Sequence, residues 1–151
     1  MARPYGDLSL LAPELMVAAV AFMVLVADLV LPRTWRKEVA ALAGVGLLAA
    51  LVPAGWVWGQ GPTAEFSGAL LVDNLAATLK LVFILAGAMT VLMSADYFLT
   101  LRRGFGEYFA LLCFFVLALC FMTAAGDLVV FYIAFELSSI TGYLLAAWLR
   151  D

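Results

Sequence analysis

Four polar side chains lie at helical spacing in an otherwise apolar stretch of the sequence. The acid is Glu136, and the hydroxyl side chains around it are Tyr132, Ser139 and Tyr143. Positions i−4, i+3 and i+7 share one face of an α-helix with position i. The surrounding run, Asp127–Arg150, is apolar for long enough to cross a bilayer as one helix. We therefore expect a spanning helix with a polar stripe that carries a carboxyl group.

The carboxyl group of Glu136 is expected to lie deep within the membrane. It lies roughly 12–14 Å from the Asp127 end of the run, at about 1.5 Å per residue. That is near the middle of a hydrocarbon core about 30 Å thick, where a carboxylate is costly unless it is protonated, paired or hydrated. The side chain is too short to reach the surface. We favour a functional role over a purely structural hydrogen bond, and we expect the stripe to face other helices or internal water.

Composition defines the class of protein. The chain has 151 residues, of which 67% are hydrophobic and 13% are charged, and its mean hydropathy is +1.12. Soluble domains are about half apolar and a quarter charged, so the sequence predicts an integral membrane protein. The net charge of −3 gives no indication of nucleic-acid binding.

The sequence offers no metal or redox site. It contains no His, and its two cysteines, Cys113 and Cys120, are seven positions apart on one predicted helix. They would be roughly 10 Å apart along the helix axis, too far for a mutual disulfide. We interpret both as small hydrophobic residues of the core.

Hydropathy predicts an all-α integral membrane protein with five transmembrane helices in one domain. Their expected bounds are about 12–31, 39–58, 75–99, 107–125 and 128–149. The one long connection, Gly59–Asp73, contains a Gly61-Pro62 turn and a short apolar run from Phe66 to Val72. Nothing in the pattern resembles an internal repeat.

Basic residues are distributed unevenly between the two sides. One side has Arg3 alone, and the other collects Arg33, Arg36, Lys37, Arg102, Arg103 and Arg150. The positive-inside rule places the N-terminus outside and the C-terminus in the cytoplasm.

Three further charged residues lie in or near the spans. Glu14 is interpreted as an acid in the first turn of the first helix, and Asp28 as an interfacial acid that pairs with Arg33 or Arg36. Lys80 lies about 9 Å inside the third span, and we favour an ammonium that extends to the outer surface. A place in a proton path is the alternative. Lys80 is also the one candidate partner that the sequence offers for Glu136.

Several motifs resemble a known family. The run Gly106–Leu112, the tight turn Ala125–Leu128 and the segment Phe135–Ile140 with Tyr143 resemble the fourth and fifth helices of the antiporter-like subunits of respiratory complex I. Nearer the N-terminus, the motifs Leu11-Ala12-Pro13-Glu14-Leu15, Ala27-Asp28-Leu29 and Val72-Asp73-Asn74-Leu75 narrow the resemblance to subunit N of the proton-pumping NADH–quinone oxidoreductase. It covers nearly the whole chain.

The resemblance implies a role in proton translocation coupled to electron transfer from NADH to quinone. In this family the glutamate that matches Glu136 pairs with a lysine two helices further on. The resemblance implies no cofactor on this chain, with NADH, flavin, iron–sulfur clusters and quinone bound elsewhere in the complex. It further implies other membrane-arm subunits as partners and a multi-pass location in the bacterial plasma (inner) membrane.

The sequence departs from the family in its length. Family members have about fourteen spans built on an inverted repeat of five-helix units, and this sequence contains five spans. The family's partner lysine, its central lysine and its second repeat are absent, so we interpret the sequence as an N-terminal piece of subunit N. With no lysine of the family's pattern, we expect Glu136 to be protonated and hydrogen-bonded to a nearby hydroxyl or carbonyl group.

Other functions remain open from the sequence. A subunit of a multisubunit cation/proton antiporter or of a membrane-bound hydrogenase would share the Glu136 motif. A non-conducting unit that contributes only packing and assembly surface is the structural alternative. Because five helices leave the Glu136 face incompletely covered, we expect the chain to associate with other membrane helices, or with copies of itself when isolated.

Overall fold

Five long helices form the protein, as the sequence predicts. The computed structural model describes residues 7–100 and 105–148, and excludes the side chains of residues 33, 96 and 98–100. The helices are α1 (Ala12–Val30), α2 (Arg36–Val57), α3 (Asn74–Thr100), α4 (Phe105–Ala124) and α5 (Leu128–Ala147). Each of them contains a segment long and apolar enough to cross a membrane. The all-α membrane fold class is confirmed.

The first four helices form a square bundle, and α5 lies outside it. Helix α1 packs against α2 and α4, and α3 packs against the same two helices from the other side. The shorter diagonal is closed by contacts between α2 and α4, whereas α1 and α3 stand at the far corners. Helix α5 packs on α4. Buried side chains of α1, α2, α3 and α4 fill the square in one continuous core.

A small β-hairpin caps one end of the bundle, and the sequence did not predict it. Strand β1 (Thr63–Glu65) pairs antiparallel with β2 (Leu70–Val72). Strands of three residues are too short to show the alternation by which strands are identified. The hairpin lies in the long connection between α2 and α3. We refer to this end of the bundle, where α1, α3 and α5 begin, as the hairpin end.

Contacts with the hairpin fix the starts of two helices. The backbone N–H of Asp7 donates to Glu65 Oε2 at 3.0 Å, just before a 3₁₀ turn (Leu8–Leu11) that leads into α1. The N–H of Gly126, in the turn between α4 and α5, donates to the carbonyl of Ala69 at 2.8 Å. A β-carbon on Gly126 would overlap the carbonyl oxygen of Gly68. The α4–α5 turn therefore needs glycine at this position.

At the opposite end, Asp28 makes a contact that the sequence did not predict. Its Oδ1 accepts a hydrogen bond of 3.1 Å from the backbone N–H of Gly106, in the first turn of α4. Charge near a helix N-terminus and a satisfied N–H both stabilise this arrangement. The expected pairing with Arg33 falls on a side chain outside those described. The Arg36 guanidinium lies 5.9 Å from the centre of the Phe105 ring.

The predicted basic turn at Arg102 and Arg103 lies outside the described residues, as do Arg3, Arg150 and Asp151. The orientation of the bundle in a membrane stays a prediction.

Candidate functional site

Helix α5 is attached to the bundle by a narrow seam. Ala134 and Thr141 are its buried residues, and seven positions correspond to about two helical turns. Next to this seam, a β-carbon on Gly142 would lie 3.5 Å from the Phe115 ring of α4, an ordinary packing distance. Only 17% of the most apolar window of α5 is buried, against 56% for α4. Most of the surface of α5 is therefore free for further contacts.

The predicted polar stripe lies on the side of α5 that faces away from this seam. At about 100° per residue, Glu136 stands roughly 160° around the helix from Ala134, and Tyr132, Ser139 and Tyr143 lie on the same side. Tyr132 is 61% exposed and Tyr143 is 75% exposed, while Glu136 and Ser139 are half-buried. No described residue of α1, α2 or α3 covers this face.

The nearest polar neighbour of Glu136 on its own helix is Tyr132. The hydroxyl of Tyr132, one turn earlier, lies close enough to interact with the Glu136 side chain. The start of the helix is fixed by Asp127, whose carboxylate accepts the N–H of Val130 at 2.8 Å. Together with Gly126, this cap fixes the distance along the helix from the α4–α5 turn to Glu136. The structure thus brings together Glu136 and Tyr132 among the predicted site residues.

Two interpretations of Lys80 are wrong. Its ammonium neither extends to the outer surface nor pairs with Glu136. Lys80 is 1% exposed and its Nζ lies 2.5 Å from Oε1 of Glu14, which is itself fully buried. The pair crosses the centre of the square from α1 to α3, whereas α5 lies outside it.

The partner of Lys80 was missed because Glu14 is deeper than expected. The acid is in the first turn of α1, as predicted, but the 3₁₀ turn Leu8–Leu11 extends the span by four residues before it. Counted along the extended span, Glu14 lies about as deep as Lys80, roughly 10 Å from the hairpin end. The sequence signal that was available is a pair of opposite charges at similar depth in two spans.

The buried pair is close to a cysteine of α4. Cys120 is fully buried and interacts electrostatically with both Glu14 and Lys80. Both cysteines are buried and free of disulfides. Across the described residues, no group of three or more His, Cys, Asp or Glu side chains could hold a metal ion.

Comparison with known proteins identifies relatives over almost the whole chain. NADH-quinone oxidoreductase subunit N 1 of Koribacter versatilis is 33% identical over 96% of the chain, and subunit N of Desulfovibrio desulfuricans is 34% identical over 94%. NAD(P)H-quinone oxidoreductase subunit 2 of Nostoc sp. is 33% identical over 91%. No family model matches the chain.

The chain spans about 30% of the length of the curated relatives it matches, which is consistent with an N-terminal part. The chain has five helices that are long and apolar enough to span a membrane, and it is similar to these relatives over about 95% of its residues. Both findings indicate a multi-pass membrane subunit. Over about 95% of its residues the chain is similar to the N-terminal part of NADH-quinone oxidoreductase subunit N.

Proposed function

We propose that this chain is part of the membrane arm of a proton-pumping NADH–quinone oxidoreductase and contributes Glu136 to proton translocation. The single observation that carries the proposal is the position of Glu136: it is half-buried on the side of α5 that faces away from the seam with α4, roughly 12–14 Å along the helix from Asp127. The similarity to NADH-quinone oxidoreductase subunit N suggests the reaction, in which electron transfer from NADH to quinone drives proton movement.

The geometry supports a carboxyl that exchanges protons. An acid within the membrane is expected to contact other helices or water, and it exchanges a proton more readily than an amide or hydroxyl group does. The Tyr132 hydroxyl is close to Glu136, and Ser139 and Tyr143 extend the polar face along the helix. Further helices that pack on this face would complete a polar pathway, with a basic side chain as the partner of Glu136. Lys80 is excluded from that role because it is engaged by Glu14.

The remaining parts of the proposal rest on the similarity to NADH-quinone oxidoreductase subunit N. The partners are other membrane-arm subunits, and the location is the bacterial plasma membrane. NADH, flavin, iron–sulfur clusters and quinone bind elsewhere in the complex, so this chain contributes no redox centre of its own. The relatives' names favour this function over an antiporter or a hydrogenase subunit.

Glu136→Gln in the intact complex tests the proposal. The amide keeps the shape and hydrogen bonding of the acid but cannot release a proton at physiological pH. We expect NADH-driven proton uptake into inverted membrane vesicles to fall several-fold, with assembly of the complex unchanged. The control is Glu38→Gln, at an exposed acid in the first turn of α2. Normal proton uptake in the Glu136→Gln complex would contradict the proposal and favour a structural role.

A further inference from the structure

A second polar site lies inside the square bundle, at the hairpin end. Three helices contribute to it: Glu14 from α1, Lys80 from α3 and Cys120 from α4. None of the three side chains is more than 1% exposed. Cys120 lies close enough to both charges to interact with each. The site is on different helices from Glu136 and is independent of the proposed function.

At this site, side chains cross the gap between helices α1 and α3. Helices α1 and α3 stand on the longer diagonal of the square, and their backbones hardly meet in the described part of the chain. Glu14 and Lys80 reach toward one another across the interior from these far corners. The space between the two helices is thus lined by charged and polar groups at this level.

The hydrogen-bonding capacity of the pair is unused. A carboxylate offers about four acceptor sites and an ammonium three donors. Among the described residues, neither Oε1 nor Oε2 of Glu14 has a hydrogen-bond partner, and neither has Nζ of Lys80. The ion pair between Nζ and Oε1 leaves the other oxygen of Glu14 and the other N–H groups of Lys80 without partners in the residues that the structure describes. Buried groups of this kind are ordinarily satisfied by protein or by ordered water.

We propose that Glu14, Lys80 and Cys120 form a binding site for water. At least one water molecule donates to a Glu14 carboxylate oxygen and accepts from the Lys80 ammonium, within reach of the Cys120 thiol. A buried water molecule needs two to four polar partners, and these three side chains supply them. The bound water keeps both members of the pair ionised, since it replaces the hydration that each charge loses on burial.

Hydroxyl-radical labelling tests the site directly, with Cys113 as a matched control. Radicals that X-rays generate from water oxidise the side chains beside that water, and they attack a thiol whatever its ionisation state. Cys113 and Cys120 lie on the same helix and both are fully buried. In the protein reconstituted into lipid nanodiscs, we expect oxidation of Cys120 to be several-fold faster than that of Cys113. Equal rates in the wild-type protein would overturn the proposal.

A double variant separates water held by the charges from water that enters for other reasons. Glu14→Gln/Lys80→Met removes both charges and keeps similar side-chain volumes. We expect the oxidation rate of Cys120 to fall to that of Cys113. A rate that stays high in this variant would overturn the assignment of the water to the ion pair. The wild-type comparison needs no substitution, so it decides the proposal even where the double variant fails to fold.

Discussion

At the scale of single residues, Glu14 of α1 and Glu136 of α5 have different surroundings. Glu14 contacts a lysine inside the square bundle, whereas Glu136 has the hydroxyl of Tyr132 on an open face. Removing one member of a buried ion pair leaves the other charge uncompensated, which is more costly than removing both. The pair therefore predicts a strongly non-additive response to substitution.

We expect Glu14→Gln alone to destabilise the protein by about 3–5 kcal/mol, because Lys80 remains buried without its counter-ion. Lys80→Met alone should have a similar effect by leaving the Glu14 carboxylate unpaired. The double variant Glu14→Gln/Lys80→Met should recover most of the loss.

Thermal unfolding in detergent measures the stability of the two single variants and of the double variant. Glu38→Gln is the control. Glu38 is exposed, so its substitution should change stability by no more than about 0.5 kcal/mol. Additive effects of the two single substitutions would show that the ion pair contributes nothing as a pair.

At the scale of elements, the hairpin and the α4–α5 turn act as one unit. Gly126 donates its N–H to Ala69, Leu70 pairs with Ala125 in an antiparallel bridge, and Asp127 caps α5. The contact explains why glycine precedes the capping aspartate in this turn. It also connects the placement of Glu136 to a segment that precedes it by two helices.

Gly126→Ala should separate the hairpin from the turn, because its new β-carbon would overlap Gly68. We expect a loss of about 1–3 kcal/mol, the usual cost of overpacking. The matched control is Gly55→Ala in α2, where a β-carbon would meet no atom within 4 Å. That substitution should stabilise the helix by up to about 1 kcal/mol. Scanning calorimetry in detergent compares the stabilities of the two variants. Equal changes in stability would contradict a stabilising contact between the hairpin and the α4–α5 turn.

The elements differ in how well the sequence predicts them. The five helices are evident because each is a long apolar run, and their limits follow from prolines, capping residues and short polar turns. The hairpin escapes prediction because three residues per strand carry no periodic signal. The Asp28–Gly106 contact joins two motifs that are far apart in the chain, so it depends on α1 and α4 being neighbours.

At the scale of the whole molecule, orientation follows from the basic side chains. The rule that basic loops stay in the cytoplasm places Arg36 and Lys37 inside and the hairpin end outside. In a background with Cys113→Ala and Cys120→Ala, we expect Gln60→Cys to react with an impermeant thiol reagent from the outer side only. Thr34→Cys should react from the cytoplasmic side only. The reverse pattern would show that the orientation is wrong. Both positions are exposed.

The packing of the helices explains why the sequence predicted some contacts of the polar residues and not others. Glu136 and Tyr132 are one turn apart on one helix, so periodicity alone places them together. Glu14 and Lys80 meet because α1 and α3 occupy opposite corners of a square, and hydropathy does not specify which helices are adjacent. Local spacing thus predicts the face of α5, whereas the partner of Lys80 depends on tertiary packing.

The placement of α5 outside the square has a consequence for biogenesis. Every helix of the square precedes α5 in the chain, so the ribosome has made the entire bundle before Glu136 is synthesised. The carboxyl group of Glu14 has its counter-ion available as soon as α3 is complete. The carboxyl group of Glu136 has Tyr132 of its own helix as its neighbour, and α5 is attached to the bundle only through its seam with α4. The last helix to be synthesised in this chain is therefore also the one that lies outside the square.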